Sequence, residues 1–317
     1  MPPLESPAFR PPALLIHCDW GSSPKKRWMA CAGYHAGTYV AGVPKPTGDP
    51  GALLSALREK TPGPILVGFD FPIGLPLAYA ERVQIASFPA FLRTLAQACR
   101  SPFFEVCRES SEISLERPFY PFNFTPKGSR KRAHLVAGLN LTSFEDLLRI
   151  CERSQENIPA AGALFWTLGA QAPGRAALHG WAETILPALG NADVKLWPFD
   201  GYLADLLEPG NLVIAETYPT QYHPWILQTR FTGKGKLESR KQQASPLLYW
   251  AAQSGVRCDT ELEQTIHEGF PQGDDAFDAV LGLFGMLHLI LNPELHHEPT
   301  DPTIRDIEGW ILGQPSR

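Results

Sequence analysis

The sequence has no Cys-x-x-Cys pair and no cysteine–histidine grouping at zinc-finger spacing, which excludes the common structural zinc sites. It has no Gly-x-Gly-x-x-Gly turn and no Walker A loop, so the two most frequent nucleotide-phosphate cradles are missing. Its longest apolar run, Ala279–Leu291, is 13 residues and contains His288. A membrane span needs roughly 20 residues, so this run is expected to be a core helix. Charged residues are only 19% of the chain and the net charge is -5. That excludes a basic coat over the whole surface while leaving room for a local basic groove. No basic stretch precedes the short apolar segment Leu14–Ile16, so no secretory signal peptide is expected. The six cysteines (Cys18, Cys31, Cys99, Cys107, Cys151, Cys258) read as free thiols in a reducing cytoplasm.

Proline, by contrast, is plentiful. It makes up 31 of 317 residues, about twice the usual share of roughly 5%, and it marks many rigid turns. The length suggests two domains, or one domain with a large insertion. Residues 1–12 are proline-rich and read as a loose arm. Ala13–Cys18 then fits a doubly buried strand, Trp28–Tyr34 a second and Thr38–Val43 a third, at spacings that suit an antiparallel meander. Leu53, Leu54 and Leu57 place a helix over Gly51–Glu59, and Pro64–Phe69 is a fourth apolar strand. A meander, a helix and a buried strand in that order demand a crossover that lays the fourth strand parallel to the first. Residues 77–200 read as a mostly helical insertion, with helices expected over Phe88–Cys99, Ser143–Arg153 and Ala160–Leu189, the last broken near Pro173-Gly174. Asn211–Ala215 is a fifth strand, Leu247–Ser254 a helix and Asp275–Leu291 the long C-terminal helix.

Asp19, Asp70 and Glu216 each follow an apolar strand directly. A lone acid there is ordinarily a turn or capping residue. Three of them at strand ends would meet at one edge of the sheet, where open α/β sheets build their sites. Asp275 and Asp278, spaced i and i+3, share one helix face. Capping and the helix dipole account for one acid in a first turn. Three within Asp274–Asp278 repel one another and call for a counter-ion. Hard carboxylate oxygens at this density suit Mg²⁺ or Mn²⁺.

The strand order with Asp19 on the first strand, Asp70 on the fourth and Asp275-Ala-Phe-Asp278-Ala on a C-terminal helix resembles the RNase H-like nucleases, and the helix segment resembles Holliday-junction resolvases of the RuvC type. More closely, Gly68-Phe-Asp-Phe-Pro-Ile-Gly74, Leu196-Trp-Pro-Phe-Asp-Gly201, Glu216-Thr-Tyr-Pro219, Gly273-Asp-Asp-Ala-Phe-Asp-Ala279 and Glu308-Gly-Trp-Ile311 resemble domain-of-unknown-function family 429, described as predicted nucleases of that fold. The resemblance implies an α/β fold with an RNase H-like five-stranded mixed sheet (a β-β-β-α-β core) and a large helical insertion. The core would be split into 13–76 and 201–312 around the insertion at 77–200. It also implies phosphodiester hydrolysis by two divalent ions about 3.5–4 Å apart. Asp19 would bridge them, Asp70 and Glu216 would flank it, Asp275 and Asp278 would close the second ion, and Asp274 would be the cap.

Two basic stretches hold nine of the 28 basic residues: Lys127, Arg130, Lys131 and Arg132, and then Arg230, Lys234, Lys236, Arg240 and Lys241. Beside a phosphodiester site they would contact nucleic-acid backbone; otherwise they are solvated loops. Trp197 and Phe199 could stack on bases, although aromatics between helices are more often core. His223 could orient a water but reads more simply as structural. Two other readings compete. An actin-like or sugar-kinase-type phosphotransferase shares the β-β-β-α-β unit, and Asp19-Trp-Gly-Ser-Ser23 resembles its phosphate turn; that class carries the unit twice, with a second Asp-Gly-Gly loop, and neither is present. The other is a non-catalytic RNase H-like protein that binds nucleic acid.

Overall fold

Apolar strands, the central ones buried on both faces, organise the molecule. In the computed structural model, which describes residues 10–97, 101–154, 161–169 and 173–315, β1 (Leu14–Asp19) pairs antiparallel with β2 (Trp28–His35), and β2 with β3 (Thr38–Ala41). A two-residue strand, β4 (Lys45–Pro46), also pairs with β2. The crossover helix Pro50–Lys60 starts cleanly: Pro50 occupies its first turn, and Asp49 caps it by accepting from Ala52 N–H at 2.7 Å. β5 (Ile65–Phe69) then lies parallel to β1, as the meander-then-crossover pattern requires. Beyond it stand β6 (Val194–Leu196) and β7 (Leu212–Glu216), both parallel to β5, and β8 (Arg257–Cys258) runs parallel to β3 at the far edge.

The result is a mixed α/β fold on one eight-stranded sheet, ordered β6-β7-β5-β1-β2-β3-β8 with β4 beside β2. Five strands were expected. The additional three have only two or three residues each, too short to leave an alternation in the sequence, and one ends in proline.

Alternation sends each strand's side chains to two cores. Leu15 on β1, Leu66 on β5 and Val213 and Ala215 on β7 pack with the long helix Asp274–Leu291 and its neighbours Pro219–Ile226 and Ala244–Gln253. Ile16, Cys18, Val67, Phe69, Leu212 and Ile214 face the opposite way, toward the crossover helix and the insertion. The long helix sits tightly on β1. A methyl group at Gly282 would come within 2.3 Å of the buried His17 ring, so only glycine allows that approach. No helix among the described residues is long and apolar enough to cross a membrane.

The insertion is less regular than expected. Leu77–Val83, Phe88–Gln97, Ala133–Gly138 and Pro173–Gly180 are α-helices. Ser143–Arg153 instead forms two short 3-10 turns, Glu145–Leu147 and Ile150–Glu152, each carrying an acid (Asp146, Glu152) that folds back onto backbone N–H groups ahead of the turn. Ala98, Cys99, Ala160 and residues 170–172, parts of the expected helices, lie outside the described residues. Within 161–169 the chain makes turns rather than helix, and Pro173–Gly180 is helical. The insertion also ends earlier than residue 200, because β6 belongs to the sheet. Its aromatic core, with Phe88, Phe103 and Phe119 around Trp181, is tied to the end of β5 by Trp181 Nε1 donating to Pro72 O at 2.7 Å. The thiols of Cys18, Cys31, Cys107, Cys151 and Cys258 are free, and Cys99 lies outside the described residues.

Candidate functional site

Register decides which strand-end acids can meet. Cys18 pairs with Phe69, and Phe69 with Glu216, so these three residues form one row across the sheet. Cys18 and Phe69 point to the insertion side. Asp19 and Asp70 come one residue later and therefore point the other way, toward the long helix. That helix begins at Asp274, just after Gly273, and brings Asp275 and Asp278 to the same corner. Its N-cap is Gly273 and makes no side-chain cap bond, so Asp274 is the first helical residue and not the cap expected from the sequence.

Four carboxylates thus share one mostly desolvated corner. Burial, then Asp278, Asp70 and Asp275, holds Asp19 well above the ordinary carboxylate range. Burial and Asp278 push Asp70 up to about 7, with Lys234 pulling the other way. Asp278 is raised by burial to about 6, again against Lys234. Asp275, only half-buried, is raised by burial and by Asp274. The counter-charge is the ammonium of Lys234, which donates to Asp278 Oδ2. Burial alone would lower its pKa; Asp278, Asp19 and Asp70 overcome that and raise it.

Glu216 does not join this group. It stands in the Cys18–Phe69 row, so alternation turns it from Asp19 and Asp70 toward the insertion. There Arg149, fully buried, grips it with two bonds, Nη2 to Oε1 at 2.6 Å and Nη1 to Oε2 at 2.7 Å. Ile73 N–H adds a third at 2.7 Å. Arg149 Nε also donates to Glu152, and Arg149 Nη1 to the Glu308 carbonyl. Glu308 in turn accepts from Leu77 N–H and Ile150 N–H. Here the segments ending in Gly74 and beginning at Glu308 touch backbone to backbone: a methyl group at Gly74 would lie 2.0 Å from Glu308 O. Sequence reasoning missed Arg149, one of two arginines in a stretch expected to be an ordinary helix. The signal that could have separated Glu216 is its place in the strand, the fifth residue counted from Leu212, where Asp19 is the sixth counted from Leu14.

The basic stretches divide as well. Lys234 is in the acid corner. Arg240 is buried, donating to the carbonyls of Gly269, Phe270 and Lys234, and is structural. Lys241 pairs with Glu238, and Lys236 is exposed before the short helix Leu237–Lys241. In the insertion Arg130 donates to Thr125 O and Asn123 O, and Arg132 lies over Phe144 and Trp166. Lys127 and Lys131 are exposed, as is Phe124 earlier in the same segment. Trp197 is buried, with its Nε1 on Glu298, and Phe199 packs on Phe88. His223, buried and pushed down to about 4 chiefly by that burial, accepts from Phe231 N–H.

The corner fits a divalent cation by its donor chemistry. Its ligands are all hard carboxylate oxygens, they carry excess negative charge, and a protein cation already stands against one of them. Among the described residues no three acidic, histidine or cysteine side chains are yet drawn together at ligating distance. Comparison of the chain with known protein families, with curated proteins and with solved structures returned no match.

Proposed function

We propose that the protein is a metal-dependent nuclease with an RNase H-like core, hydrolysing phosphodiester bonds at the corner formed by Asp19, Asp70, Asp275 and Asp278. The observation that carries this reading is the convergence of these acids from β1, the end of β5 and the long helix on one side of the sheet, with raised pKa values and Lys234 as the ion-pair partner of Asp278. The order β1-β2-β3, crossover helix, β5 beside β1 supports an RNase H-like core, as does the resemblance to family 429.

Mg²⁺ or Mn²⁺, when bound, would supply Lewis-acid charge for the phosphate and a water of lowered pKa. Asp19 and Asp278, the two most buried of the four, would hold it; Asp70 and Asp275 would flank them. Glu216 has no part in this set, because Arg149 and Ile73 N–H occupy both its oxygens. Nucleic acid is the proposed substrate, and the exposed Lys127, Lys131 and Lys236 are available to its backbone.

The test is cleavage of single- and double-stranded DNA and RNA in Mn²⁺ and in EDTA, alongside melting curves, for wild type, Asp19→Asn and Asp278→Asn. We expect metal-dependent cleavage by wild type only. Mn²⁺ should raise the wild-type melting temperature by mass action, about 2.7 kcal/mol at a hundredfold excess over Kd. Both variants should be at least as stable as wild type in EDTA and should gain nothing from Mn²⁺. Wild type that ignores metal, with both variants destabilised equally in the two buffers, makes these acids structural.

A further inference from the structure

Lys234 is unlike every other basic residue of its stretch. It sits between Gly233 and Gly235, and Gly233 takes a φ of +89°, which glycine adopts freely. The loop backbone around it is nevertheless pinned at two points. Arg240 Nη1 donates to Lys234 O at 2.6 Å, while Nε and Nη2 of the same buried guanidinium hold Gly269 O at 2.9 Å and Phe270 O at 3.1 Å, just ahead of the long helix. On the other side Phe231 N–H donates to His223 Nδ1 at 3.3 Å. A fixed backbone therefore carries a long, flexible stem whose ammonium reaches Asp278. The side chain is still 46% exposed, so it is not locked in by packing. An arginine fork would grip a carboxylate with two bonds; an ammonium is a compact point charge that can leave without repacking its surroundings.

We propose that Lys234 is a built-in cation that a divalent metal displaces from Asp278, and that the released ammonium then grips the phosphate of the substrate, so that one side chain couples metal loading to substrate binding. The proposal rests on the metal-dependent reading above. Two cations cannot both neutralise one Asp278 carboxylate at close range. A doubly charged ion, drawn by Asp19, Asp70 and Asp275 as well, has the stronger claim. The ammonium it expels remains on its stem at the mouth of the same corner, where a phosphate held by the metal would be its nearest anion.

The full chain is titrated with Mn²⁺ by calorimetry as wild type, Lys234→Met and Lys234→Arg. Removing the competing charge should tighten Mn²⁺ binding about tenfold or more in Lys234→Met. Lys234→Arg, which keeps the charge, should stay near wild type. Anisotropy of a short single-stranded oligonucleotide should show the opposite for substrate: in Ca²⁺, Lys234→Met binds about tenfold more weakly than wild type, and in EDTA the two are alike. Acylation of wild-type Lys234, read by mass spectrometry, needs no variant and should rise several-fold on saturation with Mn²⁺. If wild type binds Mn²⁺ and Lys234→Met binds it no more tightly, or if Lys234 labelling stays constant, the displacement is wrong while the metal centre stands. If neither protein binds Mn²⁺, the metal-dependent reading falls and the displacement with it.

Discussion

Around Arg149, every carboxylate oxygen of Glu152, Glu216 and Glu308 has a donor: the guanidinium, or the backbone N–H groups of Ile73, Leu77, Arg149 and Ile150. Around Lys234, only Asp278 Oδ2 accepts from the lysine; Asp19, Asp70 and Asp275 have no hydrogen-bond donor among the described residues. Both groups gather several acids about one base near the end of the same sheet. The first is a closed network, with a planar fork matched to its partners and joints to the insertion and the C-terminal segment. The second carries unmatched oxygens, raised pKa values and a removable point charge. Acid count and burial do not separate a structural cluster from a candidate ligand set here. The fate of each oxygen does.

The sharpest way to break the comparison is to remove each base. Arg149→Met leaves Glu216 and Glu152 buried without their counter-charge. Breaking a buried pair in this way costs about 3–5 kcal/mol, and the loss should be the same in EDTA and in Mn²⁺. Denaturant unfolding in both buffers measures it. Lys234→Met should cost far less, and Mn²⁺ should more than restore it. Equal losses for the two variants, both indifferent to metal, would erase the distinction between the clusters.

A pH series separates them next. An acid whose pKa is raised in the folded state binds its proton more tightly there than in the unfolded chain. Its stabilisation is therefore complete below the unfolded value, about 3.9 for Asp, and is lost as pH rises through the folded value. Asp70 at about 7 and Asp278 at about 6 set the window. In EDTA these acids should contribute a fall in stability between about pH 4 and pH 7, on the order of a few kcal/mol, set against a rise from the buried His17 and His223, which burial holds at about 3 and about 4. Glu152, raised chiefly by burial, contributes with the same sign as these acids. Saturating Mn²⁺ should remove the part due to Asp70 and Asp278 and leave that of Glu152. Melting temperatures across this range, with and without Mn²⁺, check both statements. A stabilisation by Mn²⁺ that does not grow as pH rises through this window would mean that the acid corner carries no like-charge strain.

Much of this was legible in the sequence, for identifiable reasons. Leu14–Cys18, apolar but for His17, and Ile65–Phe69 are buried almost throughout because both sheet faces are covered, and those runs announced two central strands. The crossover followed from chain geometry. Asp275 and Asp278 on one helix face followed from a spacing of three. What failed depends on register or on distant partners. Glu216 looked equivalent to Asp19 and Asp70 until strand pairing placed it one residue short, on the other face. Ser143–Arg153 has a helix-like composition, but Asp146 folds back onto the N–H groups of Thr142 and Ser143, and tertiary contacts settle the rest as turns. Lys234 and Lys127 carry the same charge in equally basic stretches; only the anchoring of its loop by Arg240 delivers Lys234 to the acids.

The basic stretch of the insertion yields the smallest effect and extends the same lesson to the cations. Arg130 spends its donors on Thr125 O and Asn123 O, and Arg132 lies over Phe144 and Trp166, so neither is poised as a free phosphate contact. Lys127 and Lys131 are exposed. If the loop meets a nucleic-acid backbone, the two lysines carry the counterion release. Lys127→Ala with Lys131→Ala should then lower the slope of log affinity against log salt by about 0.7–0.9 per lost contact, uniformly across sequences. Neutralising Arg130 and Arg132 should instead loosen the loop, with a drop in melting temperature and a smaller change in slope. The two double variants, compared by binding at several salt concentrations and by melting, distinguish charge that is free from charge already spent inside the fold. An unchanged slope in the lysine pair would make this loop ordinary solvated surface and leave Lys234 as the cation that bears on phosphate.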